Sequence, residues 1–165
     1  MSIEVRKARR DELERVNELR RQVNDVHVQG RPDIFQPGFG EELQRHVYDA
    51  FDDPGSDVIV ALSGGQIAGF ATVQYIHRPA SPYCLPRDFY RVEEFGVDAA
   101  HRRRGVATAM VDYMRRDARE RGFLRVELDA WAFNRGALAF YEAAGFKPYR
   151  IYLETDADVA DEPGK

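Results

Sequence analysis

The chain has 165 residues, enough for one domain with a core of its own, and its 44% hydrophobic and 32% charged residues read as a soluble globular protein. A formal net charge of −4 argues against nucleic acid as the main partner. Cys84 is the single cysteine, which excludes a disulfide framework, and no apolar run has signal or membrane-spanning length, so a cytoplasmic protein without membrane contact is expected.

Residues 3–9 alternate apolar and charged side chains and predict a strand with one buried face. From Asp11 onward, Leu13, Val16, Leu19, Val23 and Val26 recur every three or four residues, which predicts a helix stopped at Gly30-Arg31-Pro32. Residues 32–40 form a loop whose Ile34, Phe35 and Phe39 make either a satellite cluster or a lid over an acceptor pocket. A second helix is expected over 41–51, ended by Asp52-Asp53-Pro54-Gly55. Strands over 58–62 and 66–75 are joined by Ser63-Gly64-Gly65, a hairpin signal. Pro79, Pro82 and Pro86 make 78–87 a loop, and a fourth strand runs over about 89–97. The helix after Gly105 buries Val106, Met110, Tyr113 and Met114 and ends near Gly122. An alternating strand over 123–129, a short helix over 134–144 closed by Gly145, and a last strand over 148–153 complete the fold. Residues 156–165 are acidic and polar, a frayed tail. The order predicts one α/β (α+β) domain over 1–153, with a mixed sheet and helices on both faces, followed by a tail over 154–165.

Chemistry concentrates where the fourth strand ends. There Val97-Asp98-Ala99-Ala100-His101-Arg102-Arg103-Arg104-Gly105-Val106-Ala107-Thr108 runs from an apolar strand through three arginines into a long helix. Backbone N–H groups at a helix start have no intrahelical partner and carry about half a positive charge, so they bind anions. Gly105 allows close backbone approach, and a diphosphate would lie across Arg102 to Thr108. Within the strand, alternation places Glu93, Phe95 and Val97 on one face and Glu94 with Gly96 on the other. Glu93 is about 13 Å from Val97 at ~3.3 Å per residue, in reach of the far end of an extended cofactor arm. Glu93 is therefore the favoured catalytic carboxylate, against a plain rim or salt-bridge role. Asn134 and Tyr141 are two helical turns apart and point the same way. They read equally as ligand contacts or as an N-cap and a packed phenol.

These pieces resemble the GNAT superfamily of N-acetyltransferases. Its Arg/Gln-x-x-Gly-x-Gly/Ala signature is matched by Arg102-Arg103-Arg104-Gly105-Val106-Ala107, and its later Asn…Phe-Tyr-x-x-x-Gly-Phe helix by Asn134, Phe140-Tyr141 and Gly145-Phe146. The resemblance covers about residues 1–153. It implies a mostly antiparallel twisted sheet whose fourth and fifth strands splay apart around acetyl-coenzyme A. The pantetheine arm would pair with the backbone of Phe95 and Val97, and the diphosphate would sit on the amides of Arg102 to Ala107. Asn134 would help hold the pantetheine or the diphosphate end, and Tyr141 would protonate the departing thiolate. Glu93 matches the general base of the spermidine/spermine branch. Arg103 and Arg104 depart from the usual Gly-Lys pair, keeping charge but reducing local flexibility.

The expected function is direct transfer of the acetyl group to a primary amine of a small molecule. Two alternatives stand: acetylation of a protein or peptide N-terminus, which would need an open groove beside residues 32–40, and a non-catalytic acyl-coenzyme A sensor. His27, His46, His77 and His101 lack metal-ligand spacing, so no metal is expected. Trp131 is read as a packing residue or as part of the acceptor pocket, and Cys84 has no evident role. The resemblance leaves room for a homodimer.

Overall fold

A computed structural model describes residues 2–158 of the chain. Strand β1 (Ile3–Lys7) enters a 3-10 turn and then helix α1 (Leu13–Gly30), which is followed by α2 (Glu41–Asp52). Strands β2 (Ser56–Ser63), β3 (Gln66–Arg78) and β4 (Arg87–Val97) form a meander. Helix α3 (Val106–Glu120), strand β5 (Val126–Glu127) and helix α4 (Arg135–Ala143) complete the regular elements among the described residues. The sheet order is β1-β2-β3-β4-β5, antiparallel throughout except for the parallel pair β4 and β5. This is the mixed, mostly antiparallel sheet expected from the sequence.

Alternation along β2 explains both cores. Val58 and Val60 meet Leu13, Val16, Leu19, Val47 and Ala50 of α1 and α2 on one face. Ile59 and Ala61 belong to the opposite face, with Met110, Val111, Met114 and Ala118 of α3. A strand covered on both sides needs apolar residues at consecutive positions, and Val58-Ile59-Val60-Ala61 supplies them.

The last two predicted strands come out differently. The strand expected over 123–129 pairs only at Val126 and Glu127, opposite Tyr90 and Arg91. Beyond that point β4 and β5 diverge, so no backbone partner remains to extend the ladder. The strand expected over 148–153 does not form, and Ile151, Tyr152 and Leu153 are exposed. Side chains rather than backbone tie this segment down. The Tyr149 hydroxyl donates to Glu127, and the Arg87 and Arg125 guanidiniums lie 5.9 and 5.7 Å from the Tyr149 ring centre. Two paired residues are too short an edge to template another strand. At the start of the expected tail, Glu154 accepts two hydrogen bonds from Arg31; residues 159–165 lie outside the described residues.

Candidate active site

The divergence of β4 and β5 creates the site. From Val92 to Val97, the edge of β4 that faces β5 has no ladder partner among the described residues, while its other edge pairs with β3. Unpaired strand amides and carbonyls are a template for an extended ligand. The open edge includes Phe95 and Val97, whose side chains pack toward the α3 face.

Past Val97 the chain turns through residues 98–105 into α3. Asp98 caps the 3-10 turn by accepting from Ala100 N–H, and Arg15 and Gln22 of α1 donate to its carboxylate at 2.5 and 3.2 Å. Burial works against the charge of Asp98, but these donors hold its carboxyl down at about 2. Gly105 is the N-cap of α3 at φ 82°, a left-handed conformation that glycine adopts without a Cβ penalty. It has no side chain to cap the first turn, so the first amides of α3 stay open. Arg102, Arg103, Arg104, Gly105 and Thr108 are exposed around them, Ala107 is partly so, and Val106 is buried against the core. The residues read from the sequence as an anion site thus form a continuous patch around the open amides.

Helix α4 supplies the aromatic side of the gap. Tyr141 lies 6.2 Å from Phe95 between ring centres and 5.6 Å from both Phe140 and Phe146. Burial, and secondarily the charge of Asp129, push its hydroxyl up to about 12, so the phenol keeps its proton across the physiological range. Asn134 is the N-cap of α4, its Oδ1 accepting from Ala137 N–H at 3.2 Å. The capping role is thus filled, and the Asn134 Nδ2 group stays free of protein partners among the described residues.

Glu93 sits where strand alternation does not predict. Thr72 pairs with Glu94 and Val73 with Val92, so Glu93 is the extra residue of a β-bulge. The bulge turns Glu93 away from Phe95 and Val97 and toward α1 and α2, beside Glu94. This corrects the simple two-residue periodicity: Glu93 no longer shares the face of Phe95 and Val97. Glu94 is held by Arg20, which donates through Nε and Nη2 at 2.6 and 2.9 Å. His46 Nε2 lies 3.5 Å from Glu93 and 3.6 Å from Glu94.

Arg20 and His46 were not singled out in the sequence. For Arg20 a signal existed: it lies four residues after Val16 and three before Val23, on the buried stripe of α1, where a charge needs a partner. For His46 no local signal exists, because its partners come from β4. The loop aromatics also find their places. Phe35 stacks on His27 at 5.0 Å and meets the edge of Trp131 at 5.0 Å, while Phe39 lies under Arg20 at 5.4 Å. Phe35 and Trp131 thus join the α1–α2 loop to the segment before α4.

The region thus gathers an open strand edge leading to a helix N-terminus with free amides, a phenol on α4 and a carboxylate turned toward α1 and α2. A model of the Acetyltransferase (GNAT) family matches residues 13–146, and the chain belongs to that family. Among curated proteins, mouse N-acetyltransferase 8F1 is 32% identical over 94 residues, which is 57% of this chain and 40% of that protein. Rat N-acetyltransferase 8 is 33% identical over 58% of this chain and 41% of its own length. The chain thus spans about two fifths of these relatives. Among solved structures, a mutant of the Bacillus halodurans protein BH1408 superposes with a TM-score of 0.88 at 23% identity, covering 93% of this chain and 98% of that one. The aminoglycoside N-acetyltransferase AAC(6')-Iy, in complex with CoA, gives 0.73 at 19% identity over 95% and 96%. At those identities the structural likeness speaks for the fold. No helix among the described residues is long and apolar enough to cross a membrane.

Proposed function

We propose that this chain transfers the acetyl group of acetyl-coenzyme A directly to a primary amine of a small molecule. The observation that carries the reading is the unpaired edge of β4 over residues 92–97, leading into the open N-terminus of α3. The edge suits the amides of a pantetheine arm, with Phe95 and Val97 as backbone partners. The amides from Arg102 to Thr108 and the three arginines suit the diphosphate at its end. Asn134 Nδ2 is available as a further donor along the arm.

In this assignment Glu93 is the base. A primary amine is mostly protonated near neutral pH and must lose a proton before it attacks. Its nitrogen lone pair then forms a bond to the thioester carbonyl carbon, and the C–S bond breaks with its electrons left on sulfur. Tyr141 is the acid: its hydroxyl gives the sulfur a proton and regains one from the acylated nitrogen. A phenol held at about 12 by burial is fully protonated when needed and surrounds the reacting atoms with apolar rings. Contact of Phe35 with Trp131 ties the 32–40 loop to the segment before α4, which supports a small acceptor over an extended peptide. The aminoglycoside-modifying neighbour supports the same acceptor class.

The test follows thiol release from acetyl-coenzyme A with sisomicin, spermidine and glycylglycine as acceptors. Tyr141→Phe should lower kcat by about 10²–10⁴-fold, with acetyl-coenzyme A binding nearly unchanged. Undiminished turnover in that variant removes Tyr141 as the acid. Tight acetyl-coenzyme A binding without release toward any amine would favour the sensor reading instead.

A further inference from the structure

We infer that His46 is the proton exit of this site, taking from Glu93 the proton drawn off the acceptor ammonium and passing it to solvent. The inference rests on Glu93 being the base. It starts from the proton balance of the reaction. An ammonium R–NH₃⁺ and a thioester give an N-substituted acetamide, a free thiol and one proton. Of the three N–H protons, one stays on the amide and one ends on sulfur by way of Tyr141. The third is released, and Glu93 must shed it before the next turnover.

The surroundings of Glu93 leave a defined route. Glu94 is adjacent and turned the same way by the bulge, but both its oxygens accept from Arg20. Arg20 is only 6% exposed and is itself tied to Asn17 Oδ1 at 2.8 Å and the Leu43 carbonyl at 2.5 Å. A carboxylate clamped by a guanidinium in this way is a poor proton acceptor. His46 is the one cationic or imidazole side chain within ion-pair reach of Glu93 among the described residues. Its side chain is 44% exposed, against 27% for Glu93, so it extends from the carboxylate toward water.

Helix α2 is held in the register that this contact needs. Asn17 donates to the Gln44 carbonyl at 3.0 Å and Arg20 to that of Leu43, pinning the start of α2 to α1 one turn before His46. The groups that face the imidazole are Glu93 and Glu94 from β4, with Arg20 from α1 behind Glu94. Glu42 and Asp49 lie one turn away on α2 itself, both exposed. An imidazole can accept a proton on one ring nitrogen and release one from the other near neutral pH, which a carboxylate alone does not do. Glu93 gives its proton to Nε2, and Nδ1 gives one to water or buffer. His46 acts through Glu93 and touches no reacting atom, so it is a positioning and relay residue.

The experiment measures thiol release with sisomicin, spermidine and glycylglycine in wild type, His46→Gln and Glu93→Gln, in dilute buffer and with added imidazole. In dilute buffer His46→Gln should lower kcat by about tenfold or more, with the KM for acetyl-coenzyme A little changed. Added imidazole should restore His46→Gln and leave Glu93→Gln slow. Wild-type turnover by His46→Gln in dilute buffer, or a loss that imidazole does not restore, overturns the exit. Glu93→Gln at the wild-type rate instead overturns the base assignment, and the exit with it. A wild type inert toward all three amines overturns the proposed function, and the exit with it.

Discussion

Arg103 holds φ at 61°, the one positive value outside glycine among the described residues. A residue with a Cβ in this left-handed region carries a penalty of about 1–2 kcal/mol, part of which glycine gives back through the larger entropy of its unfolded chain. The GNAT signature resembled by this stretch has a glycine here; the sequence reads that departure as reduced flexibility, and only the backbone angle shows it as strain. Arg103→Gly should stabilise the protein by about 0.5–1 kcal/mol, raising the midpoint of thermal unfolding by a few degrees. The same change removes one exposed charge beside the α3 amides and should weaken acetyl-coenzyme A binding modestly, as measured by calorimetry. Higher stability with unchanged affinity would mean that this side chain does not reach the diphosphate. Tyr141 shows the other kind of residue. Its place two turns from Asn134 was readable from helical spacing, whereas its raised ionisation comes from burial among Phe95, Phe140 and Phe146, with the charge of Asp129 added.

At the scale of elements, β4 decides the site. Its bulge at Glu93 breaks the alternation that predicts Glu93 beside Phe95. Nothing within Arg91-Val92-Glu93-Glu94-Phe95 announces a bulge, because the extra residue is set by how β3 and β4 pair across the sheet. Three residues on, β4 is pressed against α1: a Cβ at Gly96 would fall 2.6 Å from Val23 Cγ2 and 2.8 Å from Phe70 Cε1. Gly96→Ala should therefore cost about 1–3 kcal/mol in urea unfolding, by forcing α1 off the strand. Gly136 is the contrast. It lies in the first turns of α4 with nothing within 4 Å of a Cβ, and Gly136→Ala should be neutral or stabilise by up to about 1 kcal/mol. Equal effects of the two substitutions would show that α1 yields freely at this contact. The absent last strand belongs to the same scale. Residues 148–153, expected as a last strand, form none, and β5 beside them pairs over only two residues.

For the whole molecule, the junction between β1 and α1 sets how the fold responds to acid. Glu12 is nearly buried and accepts from Arg6 Nη1 and Nη2 at 2.9 and 2.7 Å, and from Arg9 N–H at 2.8 Å. The Arg6 hydrogen bonds, opposed by burial and reinforced by the Arg9 amide, lower its carboxyl from 4.5 to about 2. A depressed carboxyl contributes stability above its unfolded value, and that contribution is lost as pH falls from 4.5 toward 2. Glu12→Gln should cost about 1–2 kcal/mol at pH 7, and its difference from wild type should shrink through that window. A difference that stays constant from pH 7 to pH 3 would place the effect in packing rather than charge.

What the sequence determined by itself were features confined to a turn or two of chain. These are the apolar periods of α1, α2 and α3, the hairpin at Gly64-Gly65, the glycine that opens α3 and the patch of amides and arginines around it. Such features depend on near neighbours along the backbone, so the residues that make them are the residues that reveal them. Tertiary structure alone decided the bulge that redirects Glu93, the pairing of Arg20 with Glu94 across 74 positions, the reach of His46 from α2, and the early end of β5. Each of these depends on distances between elements far apart in sequence. Burial and partner choice there are set only when both faces of the sheet are packed.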